Sequence, residues 1–128
     1  MILTPTPENL ARATAYLDDV LDGQPCAAKT RIALETVLEE VFMNIVNHSG
    51  ATVAELSVTA EAGEIVLRFA DDGTPYDPLQ REDPDVTLPV EERSIGGLGI
   101  LMIRRMTDRQ TYEYADGRNR LTLFKRIA

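Results

Sequence analysis

The stretch from Thr30 to Ser49 limits what this chain can fold into more than any other part of it. It carries no glycine or proline. Its apolar residues fall at Leu34, Val37, Leu38, Val41, Phe42, Ile45 and Val46. That i, i+3, i+4, i+7 spacing predicts a long helix with one face in a core. A second column, Glu40, Asn44 and His48, runs along the flank of that face at about 100° per residue. A carboxylate, an amide and an imidazole at the edge of a core need partners, because an unpaired polar group there costs about 1–3 kcal/mol. Neighbouring backbone would satisfy them and leave the column with an orienting role only. The rest of the chain decides between that and a site.

Ahead of the long helix, Ile2-Leu3 is a short edge-strand candidate. Thr6-Pro7-Glu8 reads as a helix start, with Thr6 as N-cap and Pro7 in the first helical position. Leu10, Ala13, Leu17, Val20 and Leu21 keep helical spacing, and Asp22-Gly23 ends that helix, with Gly23 available for a left-handed cap. Gly50 closes the long helix. Two strands follow, Thr52–Glu61 and Glu64–Ala70, each alternating apolar and polar residues about a hairpin at Ala62-Gly63. From Asp71 to Arg93 the proline density forbids regular structure through most of the segment. A loop of that length inside a compact domain is usually functional. Ser94-Ile95-Gly96-Gly97-Leu98-Gly99 then leads into an apolar helical run, Ile100, Leu101, Ile103 and Met106. Gln110–Ala115 and Asn119–Ile127 read as two strands joined by a turn at Asp116-Gly117-Arg118. The order predicts an α+β two-layer sandwich, a mainly antiparallel mixed sheet with helices on one face.

The length of 128 residues suits one domain. A formal charge of −8 gives no attraction to a phosphate backbone, so direct nucleic-acid binding is not expected. Cys26 is the single cysteine; it forms no internal disulfide and belongs to no metal-ligand spacing. The chain shows neither a signal pattern nor an 18-residue apolar run, so a cytoplasmic protein without membrane contact is the default.

Four features carry chemistry. The Gly96–Gly99 cluster opens a helix, where free N–H groups and the positive dipole end favour an anion such as phosphate. It is not the dinucleotide fingerprint, for no βαβ unit surrounds it, and no Gly-Lys-Ser/Thr follows to make it a P-loop. Asp71, just after a strand, is placed to accept from the exocyclic amine of a ligand; an ordinary Asp-Gly turn is the competing reading. Asn44 offers a hard carbonyl oxygen suited to Mg²⁺, which takes few protein ligands and keeps waters and phosphates. Glu40, one turn away, is a general base for a hydroxyl, or else a solvated helix glutamate.

Type and order together narrow these readings. Glu40-Val41-Phe42-Met43-Asn44-Ile45-Val46-Asn47-His48 resembles the N box of the GHKL ATPase superfamily, the Bergerat ATP-binding fold. Asp71-Asp72-Gly73-Thr74-Pro75-Tyr76-Asp77-Pro78 resembles its first glycine box, and Arg93-Ser94-Ile95-Gly96-Gly97-Leu98-Gly99-Ile100 its second. Asp116–Leu123 resembles the final hairpin. Within the superfamily the chain looks like the small RsbW-like anti-sigma-factor serine/threonine kinases, over nearly its whole length.

The resemblance implies ATP and Mg²⁺ as cofactors and a role for each motif residue. Asn44 would hold Mg²⁺ against the phosphates, and Glu40 would activate the attacking hydroxyl. Asp71 would accept from the adenine amine, with Thr122 on the last strand beside it. Gly73 would let the base lie close to the backbone, and Gly97 and Gly99 would let the lid and helix start wrap the phosphates. The lid would span about residues 77–95, with Arg93 at its end either on a phosphate or in solvent. His48 would be structural. One ATP-binding kinase-like domain would fill 1–128. The implied partners are a sigma factor, a STAS-type anti-sigma-factor antagonist that receives the phosphate, and a second copy in a homodimer. A regulatory binding module gated by nucleotide without phosphotransfer is the second reading. The third is an α+β domain with no nucleotide site.

Overall fold

The computed structural model describes residues 1–80 and 97–127. The long helix is present as α2, Ala28–His48, and begins two residues earlier than the periodicity predicts. It buries Leu34, Val37, Leu38, Val41, Phe42 and Ile45 of the expected stripe, while Val46 is half-buried against the same core. Gly50, at φ +69°, ends it in the left-handed region where glycine carries no Cβ penalty. The preceding helix α1, Leu10–Asp22, turns Ala13, Leu17 and Leu21 inward.

Both ends of α1 differ from expectation. Thr6 makes no side-chain cap, and Pro7–Asn9 form a 3₁₀ turn before the α-helix starts. Gly23 stands at φ −87° and is not a left-handed cap, because the 23–26 turn is closed instead by i→i−3 bonds from the Gly23 and Gln24 N–H groups to Val20 and Leu21. Arg31 of α2 reaches back across this turn and donates to Asp18 (3.1 Å) and Asp22 (2.8 Å), fastening α1 to α2.

The sheet has five strands: β1 (Ile2–Leu3), β2 (Ala54–Glu61), β3 (Glu64–Asp71), β4 (Arg109–Ala115) and β5 (Arg118–Arg126). Their spatial order is β1-β2-β3-β5-β4, and all four pairings are antiparallel, so the mixed character expected of it is absent among the described residues. Each hairpin turns in two residues, Ala62-Gly63 and Asp116-Gly117, all four at positive φ. That is the type I′ geometry whose twist matches the strands. The 62–63 and 116–117 turns therefore set both registers.

The crossover from β3 to β4 carries α3, Gly97–Met106, and β5 then inserts between β3 and β4. On one face of the sheet Leu56, Val58, Ile65, Leu67, Phe69, Leu121 and Leu123 meet the inner stripes of α1 and α2 and Ile103 of α3 in one core. The other face carries Glu55, Arg68, Arg120 and Thr122 and has no helix on it among the described residues. No described helix is long and apolar enough to cross a membrane.

One clip closes the layer beside α2. The Asp72 carboxylate accepts from the Thr52 and Val53 N–H groups (2.7 and 3.0 Å) and from the Thr52 hydroxyl, tying the end of β3 to the entry of β2. The Thr52 hydroxyl, followed by the two N–H groups, holds Asp72 down at about 2. A carboxylate whose folded pKa is lowered contributes stability above its unfolded pKa and loses that contribution as pH falls through the folded value. The expected result is that thermal stability falls between about pH 4 and about pH 2, and falls less in Asp72→Asn. Melting curves at stepped pH check this; superimposable pH profiles would remove the clip's role.

Candidate functional site

β3, β5, α2 and α3 enclose a cavity of about 540 Å³ at one end of the sheet. That size is usual for a small-molecule site. One wall is α2, through Val41, Asn44, Ile45, His48 and Ser49. The floor is Phe69, Asp71, Asn119 and Leu121 from the paired ends of β3 and β5. The chain leaving β3 supplies Thr74, Pro75, Tyr76 and Pro78, and Ile103 and Tyr112 complete the lining. The walls are largely apolar, with a few polar groups converging from different elements. Such a surface takes a flat organic ring and fixes its orientation by hydrogen bonds.

Two of the three buried polar residues among those described, Asp71 (7 % exposed) and Asn119 (6 %), stand side by side on this floor. They are directly paired across β3 and β5. Asp71 Oδ1 accepts from the Gly73 N–H (2.9 Å) and from Asn119 Nδ2 (3.2 Å). Both donors engage the same oxygen, which leaves Oδ2 for a ligand in the cavity. Burial pushes the Asp71 carboxyl up, against the lowering pull of the Gly73 N–H and the Asn119 amide. The adjacent acids thus part company. Asp71 faces the cavity and Asp72 faces solvent as the clip described above.

Gly73 has a packing reason of its own. A Cβ there would stand 2.5 Å from the Ser49 carbonyl oxygen and 2.7 Å from the Ser49 Cβ. The missing side chain lets the Gly73–Thr74 backbone lie against the end of α2, where the Thr74 N–H donates to Ser49 O at 2.9 Å. In this structure the close approach at Gly73 is to α2 itself.

The structure brings Asn44 and Asp71 to one cavity from opposite layers. Glu40 lies one turn before Asn44 on α2, partly buried and outside the cavity lining. Gly97 and Gly99 both fall in the first turn of α3, so the helix begins within the glycine cluster. His48 is exposed at the cavity's edge.

Thr122 is not brought to the site. It pairs with Arg68 and lies on the opposite face of the sheet, lining a separate depression with Ser57, Arg68 and Arg120. The reason is strand parity: Leu121 and Leu123 point into the core, so Thr122 between them points out. The same parity puts Asn119 inside, and counting back from Leu121 would have found it. Tyr112, paired with Leu121 across the β4–β5 ladder, follows by the same rule. Arg93 and the expected lid beyond residue 80 lie outside the described residues.

The Asn44 carbonyl is one hard oxygen donor in the cavity, and among the described residues no cluster of three His, Cys, Asp or Glu is arranged to hold a metal. That donor set suits Mg²⁺, which is commonly held by one or two protein oxygens with phosphates supplying others.

Residues 3–125 match the histidine kinase-like ATPase domain family. The serine/threonine-protein kinase BtrW of Bordetella bronchiseptica is 29 % identical over 125 residues, covering 94 % of this chain and 88 % of that protein. The histidine kinase AdeS of Acinetobacter baumannii superposes with a TM-score of 0.56 at 15 % identity, over 99 % of this chain and 68 % of that one. The likeness to AdeS is one of fold.

Proposed function

The chain belongs to the histidine kinase-like ATPase domain family, and on that premise we propose that it is an ATP-dependent protein serine/threonine kinase acting as an anti-sigma factor in a partner switch. The observation that carries the nucleotide half is the Asp71 carboxylate, buried on the cavity floor with Oδ1 already engaged. Its remaining oxygen would accept from the 6-amino group of adenine, with the apolar Phe69, Leu121, Ile45 and Ile103 of the cavity lining available to the ring. Asn44 on the cavity wall would meet the phosphates, and the N-terminus of α3 is of the kind that favours negative charge. Asn44 would hold Mg²⁺ beside the phosphates, and the ion would neutralise charge that develops in phosphoryl transfer.

The kinase half rests on Glu40 and on the 29 % identity to a serine/threonine kinase. Glu40 takes the proton of a serine or threonine hydroxyl on the acceptor protein. The hydroxyl oxygen bonds to the γ-phosphorus, the β–γ bridging bond breaks, and ADP leaves. In the switch the acceptor is a STAS-type antagonist, and the alternative partner is a sigma factor. Incubation with γ-labelled ATP, Mg²⁺ and the cognate antagonist is expected to label the antagonist on serine or threonine. An antagonist that binds and stays unlabelled would remove the kinase half.

One observation favours the second reading, a nucleotide-gated binding module: Glu40 does not line the cavity. Under that reading ATP alters partner exchange with no transfer of label.

A further inference from the structure

Asn119 is the hub of a hydrogen-bond chain that reaches from the edge strand to the cavity floor. Its Nδ2 donates to Asp71 Oδ1 (3.2 Å), Gly73 O (3.4 Å) and Thr74 O (3.0 Å). Its Oδ1 accepts from the Tyr76 N–H (2.9 Å) and from the Tyr112 hydroxyl (2.5 Å). The Tyr112 oxygen in turn accepts from the Tyr76 N–H at 3.3 Å. These partners distinguish the two ends of the amide, which by shape are nearly equivalent. Reversed, its NH₂ would meet the Tyr76 N–H, and its oxygen would face three oxygens. The mismatches at Asp71 Oδ1 and Gly73 O fall on buried groups, where an unmade hydrogen bond costs most.

The amide therefore acts on Asp71 in one way only. It donates to Oδ1, alongside the Gly73 N–H, and so settles which carboxylate oxygen is used internally. Tyr112 stands behind it on β4, the edge strand, and supplies the hydroxyl donor to the amide oxygen. Burial pushes the Tyr112 phenol up, away from ionisation.

We propose that Tyr112 is a positioning residue for base selection: its hydroxyl, donating to the Asn119 oxygen, seats the amide against Asp71 Oδ1 and so leaves Asp71 Oδ2 to a purine bearing a 6-amino group. The proposal deepens the reading of the cavity as an ATP site and rests on it. It places part of the base preference on β4, whose hydroxyl reaches Asp71 only through Asn119.

The test is calorimetric titration of the wild type and Tyr112→Phe with two probes, ATP–Mg²⁺ and the Mg²⁺ complex of purine riboside triphosphate, which lacks the 6-amino group. The ratio of the two dissociation constants isolates the bond to the amine, as a mutant cycle does. The wild type is expected to prefer ATP by roughly tenfold or more. In Tyr112→Phe that preference shrinks roughly three- to tenfold, while binding of the deamino probe stays nearly constant. Asn119→Ser, which removes the amide and keeps a small polar group, is the second variant and shrinks the preference as well.

Both probes weakened by the same factor would reduce Tyr112 to a structural role and overturn the proposal. So would an unchanged preference in either variant. A wild type that binds neither probe, or binds both alike, defeats the reading of Asp71 itself. A wild type that prefers ATP beside a Tyr112→Phe variant with the same preference defeats only the positioning role.

Discussion

Glu40→Gln is expected to lower phosphoryl transfer to the antagonist by about 10²–10⁴-fold, the usual worth of a general base, and to leave ATP binding in place. The substitution keeps the shape of the side chain and removes its capacity to take a proton. Glu40 stands one helical turn from Asn44, outside the cavity lining, so it has no share in holding the base. Loss of transfer with unchanged nucleotide affinity is the signature of an interaction made on the way to the transition state. Single-turnover transfer and nucleotide titration, run side by side, separate the two quantities. Transfer retained at the wild-type rate would make Glu40 a helix-face residue and shift the weight to the binding-module reading.

Asp71→Asn is expected to remove most of the stabilisation that ATP–Mg²⁺ confers, without unfolding the protein. Oδ1 is committed to the Gly73 N–H and the Asn119 amide. An asparagine must keep its oxygen there, and so it presents its NH₂ to the adenine amine, donor against donor. Replacing a charged acceptor by an opposing donor costs about 2–4 kcal/mol of binding, or roughly thirty- to thousandfold in affinity.

The fold itself does not need the charge. Burial raises the Asp71 carboxyl in the folded state. A carboxyl raised in this way contributes stability below its unfolded pKa and loses that contribution as pH rises through the folded value. Ionising Asp71 therefore costs stability, and the neutral amide is expected to melt at the same temperature as the wild type or higher. For the wild type, nucleotide at a hundred times its dissociation constant adds about 2.7 kcal/mol. Thermal unfolding with and without ATP–Mg²⁺ reads both effects at once. A variant that melts lower in the absence of ligand would make Asp71 a structural residue, and one that keeps the full shift would move the base elsewhere in the cavity.

Much of this was legible from residue order alone. The α2 periodicity, the helix end at Gly50 and the two hairpins follow from local preference, the second turning on Asp116 and Gly117 of the expected Asp116-Gly117-Arg118. The resemblance to the GHKL ATPases stands on the match of residues 3–125 to the histidine kinase-like ATPase domain family. The helix caps at Thr6 and Gly23 were misread because a 3₁₀ turn and a tight i→i−3 closure satisfy the same orphan groups by another route. Thr122 is of the expected residue type but falls on the other face, because strand parity decides which side chains of β5 enter the site.

The sequence by itself determined the periodicities, the turns and the ordered set of motifs, since each depends on residues within a few positions of one another. Tertiary structure alone decided which of two adjacent acids enters the cavity, that Gly73 is needed where α2 ends, and that Asn119 rather than Thr122 meets Asp71. Those outcomes depend on register between strands separated by the whole α3 crossover. A shift of one residue there exchanges the two faces of β5, and no local preference carries that information.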